Sequence, residues 1–162
     1  NPRMIHWRTS ARQNSLMVRE YHEVRDRDLL VLLDLAASPG DPEGELRAET
    51  AVSFVATICV DQLRRSRHSG IGVAAAGRDV AAWTGVAHPS SAESLLRMLA
   101  LVEPATSPSL DPLWEFAQER RTPTTAGILV TTRTAAVPRP PGAGWIKVVA
   151  ADTDISDYFR LE

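Results

Sequence analysis

The chain has 162 residues, of which 44% are apolar, which suits one domain around one core. A net charge of −2 excludes a strong global field drawing in nucleic acid or anionic lipid. The single cysteine, Cys59, excludes an intrachain disulfide, and the scattered His6, His22, His68 and His88 give no zinc-like spacing. No apolar run nears the roughly 20 residues needed to cross a bilayer, and no signal peptide opens the chain. It begins Asn1-Pro2-Arg3, so it reads as part of a longer protein whose membrane or targeting segments would lie upstream.

Residues 1–28 form a first, charge-crowded segment in which Arg3, Arg8, Arg12, Arg19, Arg25 and Arg27 mix with Glu20, Glu23, Asp26 and Asp28. The interleaved acids argue against a nucleic-acid surface. Leu16–Tyr21 has the pattern of a strand. Residues 29–162 are expected to form the main domain. Leu29-Leu30-Val31-Leu32-Leu33-Asp34 is a continuous aliphatic run, as in a strand buried on both faces of a parallel sheet. Ala36–Gly44 reads as a loop. A helix is predicted over Leu46–Arg67, with Val52, Val55, Ile58, Cys59 and Leu63 at helical spacing, basic residues at its end and Gly70 to stop it. Within it Cys59 reads as a small core residue.

Gly70–Ala76 and Val80–Thr84 read as a strand pair joined by a tight turn at Gly77-Arg78-Asp79. Ser90 with Glu93 forms a capping box for a helix carrying Leu95, Leu96, Leu99 and Val102. Asp111-Pro112 reads as cap and first turn of a helix carrying Leu113, Phe116 and Ala117. Gly127–Thr132 and Trp145–Val149 are the last strands, and the Pro/Gly-rich stretch between them is only just long enough for a parallel return. Trp83, Trp114 and Trp145 read as core or partly core residues, and Asp152, Asp154 and Asp157 as a solvated acidic tail. The expected fold is α/β: a mainly parallel sheet with helices on both faces and one antiparallel strand at an edge.

Ligand sites in such sheets lie at the carboxyl ends of strands, near the topological switch. Asp34-Leu35-Ala36-Ala37-Ser38 stands at such an end. It resembles the Asp-x-Ser-x-Ser loop with which von Willebrand factor A (vWA) domains bind magnesium. A hard divalent cation wants about six oxygen ligands. Asp34 and Ser38 would supply two of them, but Ala36 stands where a serine would supply another. Thr106 or Ser109 could stand for the threonine of a later loop. After the fourth strand comes Thr131-Thr132-Arg133-Thr134 with no acid, and Arg133 would bring positive charge towards the site. The loop therefore reads as a degenerate metal site. In the simpler alternative, Asp34 hydrogen-bonds its own loop backbone.

A second resemblance rests on Arg3-x-Ile5-His6-Trp7-x-x-Ser10-Ala11-Arg12, followed by Leu16-x-Val18-Arg19-Glu20 and the leucine-rich strand ending in Asp34. This run is similar to the bacterial family called domain of unknown function 58. The resemblance implies a vWA-like, Rossmann-like domain, membrane helices upstream in the full-length protein, a cytoplasmic and membrane-tethered location, and work beside a MoxR-type AAA+ ATPase in assembly or maturation of other complexes. Arg3, Trp7 and Arg12 would pin upstream parts onto the domain or dock a partner, since arginine and tryptophan are favoured at binding hot spots. The function expected is thus a non-enzymatic protein-binding domain with no resident cofactor. Its binding rim would include Asp34, Ser38, Thr106 and Arg133. The alternative is a divalent-metal-dependent adhesion or hydrolase domain that uses Asp34 and Ser38 of the degenerate loop.

Overall fold

The computed structural model describes residues 27–142 and 144–149. Arg3, Trp7, Arg12, the Leu16–Tyr21 strand and the C-terminal aspartates lie outside the described residues. The elements are β1 (Leu29–Asp34), α1 (Pro42–Arg65), β2 (Gly70–Ala76), β3 (Val80–Val86), α2 (Ala92–Ala100), α3 (Asp111–Arg120), β4 (Ala126–Thr131) and β5 (Trp145–Val149). A short 3-10 turn, Pro89–Ser91, precedes α2.

The strands make one sheet in the order β3-β2-β1-β4-β5. β2, β4 and β5 join it in parallel pairings, and β3 pairs antiparallel with β2 at one edge. The chain leaves β1 towards β2 and β3, then crosses back over to β4 and β5. Adjacent β1 and β4 therefore flank the topological switch.

β1 shows why an unbroken aliphatic run belongs at the centre. Leu29, Val31 and Leu33 point to one face, where they meet α1 and α2. Leu30 and Leu32 point to the other, against Leu113, Phe116 and Ala117 of α3. Side chains alternate along a strand, so only a strand covered twice needs apolar residues at every position. Each buried leucine contributes roughly 1.5–3 kcal/mol. β3 is the contrast: its residues alternate between exposed and half-buried. Gly72 in β2 lets α3 lie close, since a Cβ there would meet Leu30 Cδ1 at 2.9 Å and the Phe116 ring at 3.4 Å.

The helices sit where the hydrophobic spacing puts them, with revised ends. α1 begins at Pro42, not Leu46. Pro42 follows Asp41, its fixed φ suits a first turn, and Glu43 and Glu45 sit where the helix dipole favours acids. The buried residues are Gly44, Ala48, Ala51, Phe54, Val55, Ile58, Cys59, Gln62 and Leu63, while Val52 is only half-buried. α1 ends at Arg65, with Ser66 as its C-cap, so Gly70 does not stop it. His68 lies past the helix end with a left-handed backbone at φ 69°, and Arg64 and Arg65 are the basic residues of the last turn. Histidine tolerates that region better than most residues.

The expected capping box does not form. α2 is preceded by Ser91, and no side-chain cap is made there. Ser90 lies inside the preceding 3-10 turn, where His88 Nδ1 accepts its backbone N–H at 3.2 Å. Leu96 of α2 faces outward, 39% exposed, and Val102 lies past the helix. Asp111 is likewise inside the first turn of α3, with Leu110 at the cap position, and its own N–H is held by Ser109 Oγ at 3.2 Å.

β3 continues to Val86, two residues beyond the expected end. β5 pairs in parallel with β4 after a return that holds no helix among its described residues. Arg121 ties this return down: its guanidinium lies 5.0 Å from the Trp145 ring and donates to Pro141 O at 3.0 Å. Trp145 Nε1 donates to the same carbonyl at 3.1 Å. Trp83, Trp114 and Trp145 are all half-buried, in line with the sequence reading. No helix among the described residues is long and apolar enough to cross a membrane.

Candidate functional site at the carboxyl edge of the sheet

Asp34 closes β1 with none of its surface exposed. Its register partners are Ala76 on β2 and Thr131 on β4, which puts it at the switch point. A buried carboxylate is costly unless charge and hydrogen bonds answer it. Here both come from the end of β4. Arg133 Nε donates to Asp34 Oδ2 at 2.7 Å, and Arg133 Nη2 donates to Oδ1 at 3.0 Å. This is the two-pronged geometry in which a guanidinium binds a carboxylate most tightly. Thr131 Oγ1 donates to Oδ2 at 2.7 Å and accepts the Arg133 backbone N–H at 3.1 Å. One hydroxyl thus supports both members of the ion pair.

The guanidinium reaches further. Nη2 also donates to Pro108 O, and Nη1 reaches Ser107 Oγ at 3.4 Å. Both acceptors lie on the segment between α2 and α3. That segment is itself sewn to the end of β1, because Ala36 and Ala105 form a parallel bridge. Ala37 N–H donates to Ala105 O at 2.9 Å, and Ala105 N–H to Leu35 O at 3.1 Å. Three parts of the chain that are distant in sequence therefore converge on one cation. Arg133 keeps 21% of its side chain exposed, so the pair has a buried anionic member and an outward cationic one.

The backbone of the Asp34 loop is held by Thr132 rather than by Asp34. Thr132 Oγ1 accepts the Ala36 N–H at 2.7 Å and donates to Ala36 O at 2.7 Å. This corrects the simpler sequence reading, in which Asp34 would bond its own loop. Its oxygens are taken by Thr131 and Arg133 instead.

Of the residues singled out in sequence, Asp34 and Arg133 meet directly. Ser38 and Thr106 are exposed on the two segments joined by the Ala36–Ala105 bridge. Ser38 uses its carbonyl to accept the Asp41 N–H at 3.1 Å. Gly40, at φ 74°, makes the following turn in a conformation that suits glycine. Thr131, Thr132, Ser107 and Pro108 were not anticipated. One signal was available: two threonines end a strand that is otherwise aliphatic from Ile128 to Val130.

Elsewhere, His88 Nδ1 lies 2.6 Å from Ser90 Oγ on an exposed turn. The same nitrogen accepts the Ser90 backbone N–H, so the contact caps a turn. Cys59 is fully buried, and burial pushes its thiol up to about 12, far from the thiolate that reactivity requires. Among the described residues, no three His, Cys, Asp or Glu side chains are placed to hold a metal ion.

No curated protein matches the chain. Solved structures similar to it include proximal thread matrix protein 1 from the mussel byssus, at 15% identity and a TM-score of 0.49. That alignment covers 76% of this chain but only 37% of the other, and a likeness this low carries no argument. The family comparison is decisive by its extent: a profile described as "Protein of unknown function DUF58" matches residues 1–138, and the chain belongs to that family.

Proposed function

We propose that this chain is a vWA-like, non-enzymatic protein-interaction domain that docks its partner on the carboxyl edge of the sheet, around Asp34, Ser38, Thr106 and Arg133. The observation that carries the reading is the buried Asp34–Arg133 pair at the switch point. There the fold class ordinarily keeps a ligand crevice, and here an internal ion pair fills it. The pair leaves an ordered rim of short hydroxyl side chains around a partly exposed guanidinium, and arginine is among the residues favoured at binding hot spots.

The strand order supports a vWA-like architecture by analogy of topology, and fold by itself does not fix function. The partner we propose, on the family resemblance, is a MoxR-type AAA+ ATPase or a protein that ATPase acts upon. Arg3, Trp7 and Arg12 would extend the same contact or anchor upstream parts of the full-length protein at the cytoplasmic face of a membrane. The rival reading, a magnesium-dependent adhesion or hydrolase domain, needs a carboxylate at Asp34 free to bind a cation, and Arg133 engages both of its oxygens.

The test is capture of the neighbouring MoxR-type ATPase by the full-length protein. Ser38→Arg and Thr106→Arg add bulk to exposed rim positions. They should cut retention at least tenfold while leaving the melting temperature unchanged. A Thr84→Arg substitution on exposed β3 is the control and should not alter retention. No capture by the full-length protein, or equal capture by rim and control variants, contradicts the proposal.

A further inference from the structure

The likeness of Asp34–Ser38 to a magnesium loop implies a cation beside Asp34, and the residues present do not fit a metal there. In the unaltered chain Arg133 already engages both Asp34 oxygens and the Ser107 and Pro108 oxygens beside them, so none is left for a metal. We infer that Arg133 is itself the cation of this site, a covalently tethered substitute for the divalent ion. Its guanidinium sits within oxygens drawn from separate segments: Asp34 Oδ1 and Oδ2 from β1, and Ser107 Oγ and Pro108 O from the α2–α3 connection. Thr131 Oγ1 from β4 braces the carboxylate from behind. A hard cation gathers such a shell of carboxylate, carbonyl and hydroxyl oxygens. A guanidinium satisfies the same oxygens through directed N–H donors and stays charged at every physiological pH.

The consequence is regulatory. A metal-loaded rim is ordered only when the ion is present, whereas a rim loaded by Arg133 is ordered at every ion concentration. Docking at this edge is therefore independent of divalent cations. This deepens the docking reading, on whose rim it rests. Its test reads metal response and melting, not capture, so either can fail alone.

The probe is manganese chloride against EDTA, followed by thermal melting and by direct manganese binding in electron paramagnetic resonance. The unaltered chain should melt at one temperature in both and bind no manganese at this site. Arg133→Ala uncovers Asp34 and should lower the melting temperature by roughly 10 °C. Manganese should then restore part of that loss saturably, and Asp34→Asn added to Arg133→Ala should abolish the response. Arg133→Lys keeps a tethered cation. It should melt closer to the unaltered chain than Arg133→Ala does, and bind no manganese. Three results overturn the inference: an Asp34-dependent manganese response in the unaltered chain, a folded Arg133→Ala that binds none, or an Arg133→Lys that is unfolded or no more stable than Arg133→Ala.

Discussion

Two aspartates bracket β1 and have opposite fates. Asp28, just before the strand, is exposed, and its Oδ1 accepts the Gly70 N–H at 2.6 Å. Asp34, at the other end, has no exposed surface and is matched by an arginine, a threonine hydroxyl and the segments they hold. The first fastens the start of β2 to β1 and can exchange that bond for water at little cost. The second is a charge that the fold must actively answer. Its setting shows the difference between an aspartate that trims a strand and one that organises a site. The lesson is that residue type and strand position alone do not tell the two apart; burial and partners do.

The sharpest way to break this comparison is to remove one partner at each end. Arg133→Ala leaves Asp34 buried without its counter-charge and should cost about 3–5 kcal/mol in urea unfolding. Asp28→Ala removes one exposed acceptor and should cost about 1 kcal/mol. If the two losses are equal, the distinction between the ends fails. Smallest in effect at neutral pH is Cys59. With its thiol pushed up from 9.0 to about 12 by burial, the folded chain should resist an aromatic disulfide reagent at pH 8 and react only on unfolding. The same shift sets a pH dependence. Between pH 9 and 12 the unfolded chain sheds this proton while the folded chain keeps it, so the contribution of Cys59 to stability falls as pH rises through that window. Rapid labelling of the folded chain at pH 8 would contradict its burial.

The central strands were legible because their chemistry is extreme. Leu-Leu-Val-Leu-Leu is the pattern of a strand covered on both faces, whereas Val80–Val86 was found from the Gly77-Arg78-Asp79 turn and alternates in burial rather than in residue type. The parallel order and the antiparallel edge followed from element order and a short turn. Helix ends were harder. The Ser90/Glu93 spacing matched a capping box, but the 3-10 turn set by His88 moved the helix start beyond Ser90. The Asp41-Pro42 start of α1 was present in the sequence and was masked by its glycine- and proline-rich surroundings.

The candidate site was half legible. Asp34 could be found from its place at the end of a buried strand, and Arg133 from the missing acid after β4. The roles of Thr131 and Thr132 could not, because they meet Asp34 and Ala36 only through the β1–β4 register, across 97 and 96 residues of chain. Ser107 and Pro108 join through the Ala36–Ala105 bridge, which no local pattern announces.

Asp34 and Arg133 act as one unit that orders the rim. A double-mutant cycle of Asp34→Ala and Arg133→Ala, followed by urea unfolding, tests this most directly. Residues joined in one buried network couple by about 0.5–3 kcal/mol. A coupling in the upper half of that range is expected, with the double variant more stable than the sum of the single losses implies. Losses that simply add, with coupling near zero, would contradict it.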